Sequence, residues 1–305
     1  MRRMLLWGSE NPWLARQLPS HRFVQRAVRR FMPGERMEDA LAEAGVLAGQ
    51  GTPTTLTLLG ENVETAEQAT AVVDEFLRIL DEADSRGLDV EVSVKLTHFG
   101  LDQDRDRALG HVATLARRAA GTGIVWVDME GSDYTDVTLD VFRDLRAEHE
   151  NVGLCLQSYL HRTREDLETL LPLNPAIRLV KGAYAEPPTI AFKKKSDADD
   201  SFEELTRLFL DHFEEGGSGF LVIGTHDERL VTLTRALIAE RGIEEGSYEY
   251  AMLYGIGVRQ QEALRRDGLP LRVLISYGTA WFPWYMRRLA ERPANLGFVL
   301  RNMFR

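Results

Sequence analysis

The chain is 305 residues long, with 37 lysines and arginines against 47 aspartates and glutamates, a net charge of −10 and an isoelectric point near 5.3. That balance excludes a general affinity for nucleic acid, which needs a broad basic surface, and the single cysteine, Cys155, excludes an intrachain disulfide framework. No apolar run reaches the roughly 18 residues of a membrane-spanning helix, and the one after Arg2 and Arg3 is too brief for a signal-peptide core, so the expected compartment is the cytoplasm.

Residues 1–53 read as a helical N-terminal segment: helices at Asn11–Leu18 and His21–Phe31, a turn at Pro33-Gly34, and a helix at Met37–Gln50. Arg26, Arg29 and Arg30 lie on the second of these, which suits packing on the body of the protein or peripheral contact with the inner face of an anionic membrane. Eight short apolar runs rich in β-branched residues follow, at Thr54–Gly60, Val90–Thr97, Val125–Glu130, Val152–Tyr159, Ala176–Tyr184, Phe220–His226, Tyr248–Tyr254 and Leu271–Tyr277. Between them lie segments of helical spacing, such as Glu67–Arg86 and Ser201–Phe213, with Lys193–Asp200 as a charged, mobile loop. Gly255-Ile256-Gly257 lacks the third glycine of a dinucleotide fingerprint and reads as a tight strand-to-helix turn. Strand and helix alternating eight times predict an α/β fold, a (β/α)8 TIM-type barrel over residues 54–305, which forms one functional domain with the N-terminal helices. After the last strand comes a helix bearing Trp284, Arg287, Arg288 and Glu291.

Chemistry in such a barrel is built at the carboxyl ends of the strands, and these ends are polar. They carry Lys95, Thr97 and His98, then Asp128 and Glu130, Gln157, Arg178 and Lys181, Thr225 and His226, and Leu253-Tyr254-Gly255. Lys95, Arg178, Lys181, Arg287 and Arg288 outnumber the nearby acids, so an anionic ligand is expected. Adjacent guanidinium forks on one helix suit a carboxylate, and Lys181-Gly182-Ala183 can offer backbone N–H groups and an ammonium to a phosphate. No His-x-His follows the first strand and the seven histidines lack ligand spacing, so no metal is expected. Cys155, in mid-strand, reads as an inert buried thiol.

Taken together, Val94-Lys95-Leu96-Thr97, Asp128-Met129-Glu130, Arg178-Leu179-Val180-Lys181-Gly182-Ala183-Tyr184, Gly224-Thr225-His226 and Arg287-Arg288-Leu289-Ala290-Glu291-Arg292 resemble proline dehydrogenase of the monofunctional bacterial type. The match runs from the Arg30–Glu35 segment to the carboxyl terminus. The resemblance implies an FAD-containing barrel that oxidises L-proline to Δ1-pyrroline-5-carboxylate by hydride transfer, the first step of proline catabolism, and passes the electrons to a membrane quinone. It implies that Arg287 and Arg288 clamp the substrate carboxylate on the C-terminal helix, with Lys95 as a third cationic contact, and that Leu253 packs on the substrate ring. Asp128 would keep the clamp arginines in place, with Glu291 acting likewise from behind. Arg178 would approach the flavin ring near N5, where its charge favours the reduced form. Met129 and Gln157 would touch the isoalloxazine, Lys181, Gly182 and Ala183 the pyrophosphate or ribityl chain, and Thr225 and His226 the more distant part of FAD.

Two positions depart from the family pattern. Leu274 and Trp284 stand where members typically have pocket tyrosines, which makes the substrate pocket more apolar and brings related cyclic or N-alkyl amino acids into range. Two other readings remain at this stage: a Schiff-base aldolase or lyase using Lys95 or Lys181, and a non-catalytic amino-acid-binding barrel.

Overall fold

A computed structural model describes residues 28–282. Eight parallel strands close into a barrel in sequence order: β1 Thr54–Leu58, β2 Val90–Val94, β3 Val125–Val127, β4 Val152–Gln157, β5 Ala176–Val180, β6 Phe220–Gly224, β7 Tyr248–Leu253 and β8 Leu271–Tyr277. Closure is made by β1 on β8, with Thr54 opposite Val273 and Leu58 opposite Tyr277. All eight expected strands exist, but most stop sooner than their apolar runs. Strand pairing ends where the chain turns outward at the rim, leaving Lys95, Asp128, Glu130, Lys181 and His226 on loops instead of strands.

Helices cover the barrel: α1 Met37–Ala48, α2 Ala66–Ser85, α3 Arg105–Arg118, α4 Thr135–Arg146, α5 Thr163–Leu170, α6 Lys195–Glu214, α7 Glu228–Glu240 and α8 Val258–Arg266. Their starts follow from local chemistry. Thr65 caps α2 in a reciprocal box with Gln68, and Asp104 and Asp227 cap α3 and α7 by accepting the N–H groups of Arg107 and Arg229. Helix α6 corrects the sequence reading. The charged stretch Lys193–Asp200, expected as a mobile loop, supplies the first turn and more of this helix, because Lys195 and Asp199 pair one turn apart and Asp199 is buried against the barrel rim. Gly255 and Gly257 both adopt left-handed backbone (φ 70° and 66°), the tight turn from β7 into α8.

The alternation along each strand separates two layers. Leu56, Val92, Val94, Val127, Leu154, Ile177, Leu179, Ile223, Val273 and Ile275 pack under the helices in one apolar core. Strand registers put the intervening residues on the inner face, where Ser93, Trp126, Gly153, Ala176 and Phe220 form one row and Cys155, Arg178, Val222 and Glu249 the next. Helix α1 packs on β1 and β8, and Glu35, just before it, accepts the indole N–H of buried Trp281 at 2.7 Å. The start of the chain's last segment is thereby tied to the N-terminal turn. The expected helices at Asn11–Leu18 and most of His21–Phe31, and the clamp residues Trp284, Arg287, Arg288 and Glu291, lie outside the described residues.

Candidate active site

At the carboxyl rim, Arg178 projects from β5 into the barrel and is 4% exposed. Its Nη2 donates to Asp128 Oδ1 and, at 2.7 Å, to Ser93 Oγ, while Ser93 donates to the same Asp128 oxygen at 3.0 Å. Burial disfavours the charge on Arg178, but Asp128 and the neighbouring Cys155 more than offset it, so its pKa lies above the ordinary value. Cys155 is itself buried, which pushes its thiol pKa up and keeps it unreactive. The arginine that Asp128 holds among the described residues is therefore Arg178. The sequence reading pairs Asp128 with the clamp arginines, which lie outside the described residues, and neither chain distance nor spacing reveals its contact with Arg178.

Two further groups stand beside this pair. Lys95, mostly buried, pairs with Glu61 at 3.1 Å and donates to the Gly60 carbonyl at 3.4 Å. Close by, His98 has its pKa lowered to about 4, chiefly by burial and then by the Lys95 charge, so it is neutral at pH 7. Glu130 accepts from the Thr97 N–H at 3.0 Å and the Thr97 hydroxyl at 2.5 Å, bracing the turn after β2, and burial pushes its pKa up to about 7. Gln157 donates to the Met129 carbonyl at 3.0 Å, and its Oε1 is buried without a hydrogen-bond partner among the described residues. The Met129 side chain is buried in the same apolar cluster as Val127 and Cys155.

On the opposite arc, the Lys181 ammonium lies 2.5 Å from Asp199 and 2.7 Å from Asp227, and Lys195 pairs with both carboxylates. Although burial works against its charge, Asp227 is held well below the usual carboxylate range by these two lysines. Lys181 is thus ion-paired on both sides, with its side chain still partly exposed at the rim. Gly182 has φ 110° and lies against the Tyr159 ring, leaving no room for a Cβ; Ala183 beside it is half-buried. Thr225 accepts the Asp227 N–H at 3.2 Å, and His226 Nε2 accepts the Leu253 N–H at 3.2 Å, which leaves the proton of the neutral ring on Nδ1.

Leu253 and Leu274 are register partners on β7 and β8, and both are half-buried, as are Val180, Gly224 and Ala251. Gly224 lies beside Val180 and the Arg178 side chain, so part of this half-buried apolar set adjoins the buried cation. Glu91 and Trp126 were not singled out from the sequence, and Ser93 was given no role there. Their signal was present as polar or bulky residues at every second position of Val90-Glu91-Val92-Ser93-Val94 and Val125-Trp126-Val127, the period that marks the inner face. Among the described residues no group of three or more His, Cys, Asp or Glu is arranged to hold a metal ion, and no helix is long and apolar enough to cross a membrane.

Comparison with known proteins gives a consistent result. The proline dehydrogenase family pattern matches residues 40–301. The chain is 34% identical to proline dehydrogenase 1 of Bacillus subtilis strain 168 over 306 residues, covering 100% of this chain and 99% of that protein. It is 35% identical to proline dehydrogenase of Deinococcus radiodurans, covering 90% and 89%. A crystal structure of proline utilization A from Bdellovibrio bacteriovorus, inactivated by N-propargylglycine, superposes with a TM-score of 0.80 at 21% identity over 90% of this chain; the chain spans about a third (34%) of that protein.

Proposed function

This chain belongs to the proline dehydrogenase family and is an oxidoreductase, and from that premise we propose that it is an FAD-dependent enzyme oxidising L-proline to Δ1-pyrroline-5-carboxylate, or a closely related cyclic or N-alkyl amino acid to the corresponding imine. The observation that carries the reading is the buried Arg178–Asp128 pair at the carboxyl rim of the barrel, with half-buried apolar positions at Val180, Gly224, Leu253 and Leu274 on β5 to β8. The rim also fits a flavin. Gln157 Oε1 is a buried acceptor with no hydrogen-bond partner among the described residues, Gly182 has a left-handed backbone that only glycine readily adopts, and the half-buried Val180, Gly224, Leu253 and Leu274 suit a flat ring and a small substrate.

FAD, when bound, supplies the two-electron acceptor for a hydride leaving the ring carbon next to nitrogen. Met129, Gln157, Arg178, Lys181, Gly182, Ala183, Thr225 and His226 would hold it. Arg178 presents a fixed positive charge, which favours the reduced state of a neighbouring redox group, and Asp128 and Ser93 keep that charge in place. Lys95, Arg287 and Arg288 would bind the substrate carboxylate, with Glu291 steadying the arginines, while Leu253, Leu274 and Trp284 pack on the ring and exclude water. Loss of the hydride and of the nitrogen-bound proton leaves the C=N bond of the product. Electrons would then pass to a membrane quinone through peripheral contact at the inner face of the membrane. A Schiff-base reading is less well supported, because Lys95 and Lys181 are each ion-paired, whereas an imine-forming lysine needs a desolvated or cation-flanked site. Purified protein should be yellow with non-covalent flavin and should reduce a soluble quinone analogue when L-proline is added. Colourless protein that takes up no added FAD, or that is trapped by borohydride with a substrate adduct, refutes the proposal.

A further inference from the structure

We propose that Trp126 is a positioning residue for Arg178, its indole face setting the plane in which the guanidinium meets the cofactor. The inference rests on the reading that FAD binds beside Arg178. Trp126 points from β3 into the barrel and is 1% exposed. The Arg178 Cζ lies 5.1 Å from the centre of its ring, within the range of a cation–π contact, and exclusion of water strengthens such contacts. Both rim bonds of Arg178 to Ser93 and Asp128 use one nitrogen, Nη2. Cys155 is a further side-chain hydrogen-bond partner of the guanidinium, and a flat surface under the fork limits its tilt out of that plane.

The ring is itself held firmly. Its Nε1–H donates to Glu91 Oε2 at 2.6 Å, and Glu91 also accepts the Ile124 N–H at 3.2 Å and lies 3.4 Å from Arg272 Nε. Arg272 is anchored in turn on Glu249 at 2.9 Å and Asp89 at 2.8 Å. On the neighbouring strand, a Cβ at Gly153 would come within 2.6 Å of ring atoms Cε3 and Cζ3, so the glycine makes room for the indole. A polar column thus runs from the barrel floor, through Arg272, Glu91 and Trp126, to the cation at the active rim.

The test compares Trp126→Phe, Trp126→Leu and Gly153→Ala in the FAD-loaded protein, reading the flavin reduction potential, its visible spectrum, and kcat and KM separately. Losing the ring face should lower the reduced-to-oxidised ratio at a given potential, and kcat with it, by about tenfold in Trp126→Leu, since a desolvated cation–π contact is worth that much. KM should change by less than about twofold, because ground-state substrate binding is not the interaction removed. Trp126→Phe, which keeps a face, should stay near wild type, and Gly153→Ala should resemble Trp126→Leu. Wild-type potential and kcat in Trp126→Leu, or equal defects in the Leu and Phe variants, would overturn the proposal. A second readout needs no cofactor: a double-mutant cycle of Trp126→Leu with Arg178→Met in urea unfolding. Coupling of about tenfold in the unfolding constant supports the contact, and additivity overturns it. If the wild-type protein takes up no FAD, the cofactor reading fails by itself while this cycle still decides the role of Trp126.

Discussion

Replacing Asp128 by alanine strands a buried positive charge, and the structure sets how much that should cost. Arg178 is 4% exposed and would retain Ser93 Oγ as its partner on Nη2, together with the Trp126 ring. Breaking a fully buried ion pair typically destabilises by about 3–5 kcal/mol, and because the Asp128 side chain keeps 22% of its surface accessible, water can partly fill its place, which points to about 3 kcal/mol. The converse variant, Arg178→Met, leaves the more accessible partner, which keeps the Ser93 hydroxyl and gains water, so about 1–2 kcal/mol is expected. The double variant should then be less damaged than the sum, with a coupling of at least about 1.5 kcal/mol. Urea unfolding of the four cofactor-free proteins, followed by circular dichroism at constant m-value, measures this. A coupling below about 0.5 kcal/mol, typical of an exposed pair, would refute the reasoning that this is a desolvated, interdependent unit.

Stability should fall as pH rises from about 4.5 to 7, because burial pushes Glu130 and Glu249 up to about 7, so that the folded chain keeps protons that the unfolded chain has already released. Each contributes a loss of about 3 kcal/mol over that window, fully developed above pH 7, and unfolding midpoints of Glu130→Gln and Glu249→Gln should each lack part of the slope. Arg287→Met or Arg288→Met should weaken substrate binding by about 2–5 kcal/mol, read as a raised KM, with flavin content unchanged. The Leu274→Tyr/Trp284→Tyr double variant should oxidise L-proline with kcat/KM on the order of tenfold above the native chain through two regained hydroxyl contacts. The native chain should also handle trans-4-hydroxy-L-proline poorly, because the apolar Leu274 cannot pair its hydroxyl; steady-state kinetics on both substrates decides.

The sequence by itself determined the architecture and the address of the chemistry. Eight apolar runs separated by helical spacing can bury both faces of each strand only in a helix-covered parallel sheet, and the polar residues that end those runs, Lys95, Asp128, Gln157, Arg178, Lys181 and His226, all stand at one rim. Periodicity also records which face a residue takes, so Glu91, Ser93 and Trp126 were readable as inward-pointing. What only the tertiary structure decided is who meets whom. Strand order and register bring Arg178 to Asp128, 50 positions away, and Arg272 to Asp89, 183 positions away, pairings that no local signal encodes. The same holds for Lys181, which Asp199 from α6 and Asp227 from the start of α7 flank with carboxylates that no local signal announces. Local sequence sets conformation through backbone and capping energies that act over a few residues. The partners of a buried charge are set by closure of the barrel, because the cost of leaving that charge unpaired is met only once distant strands are side by side.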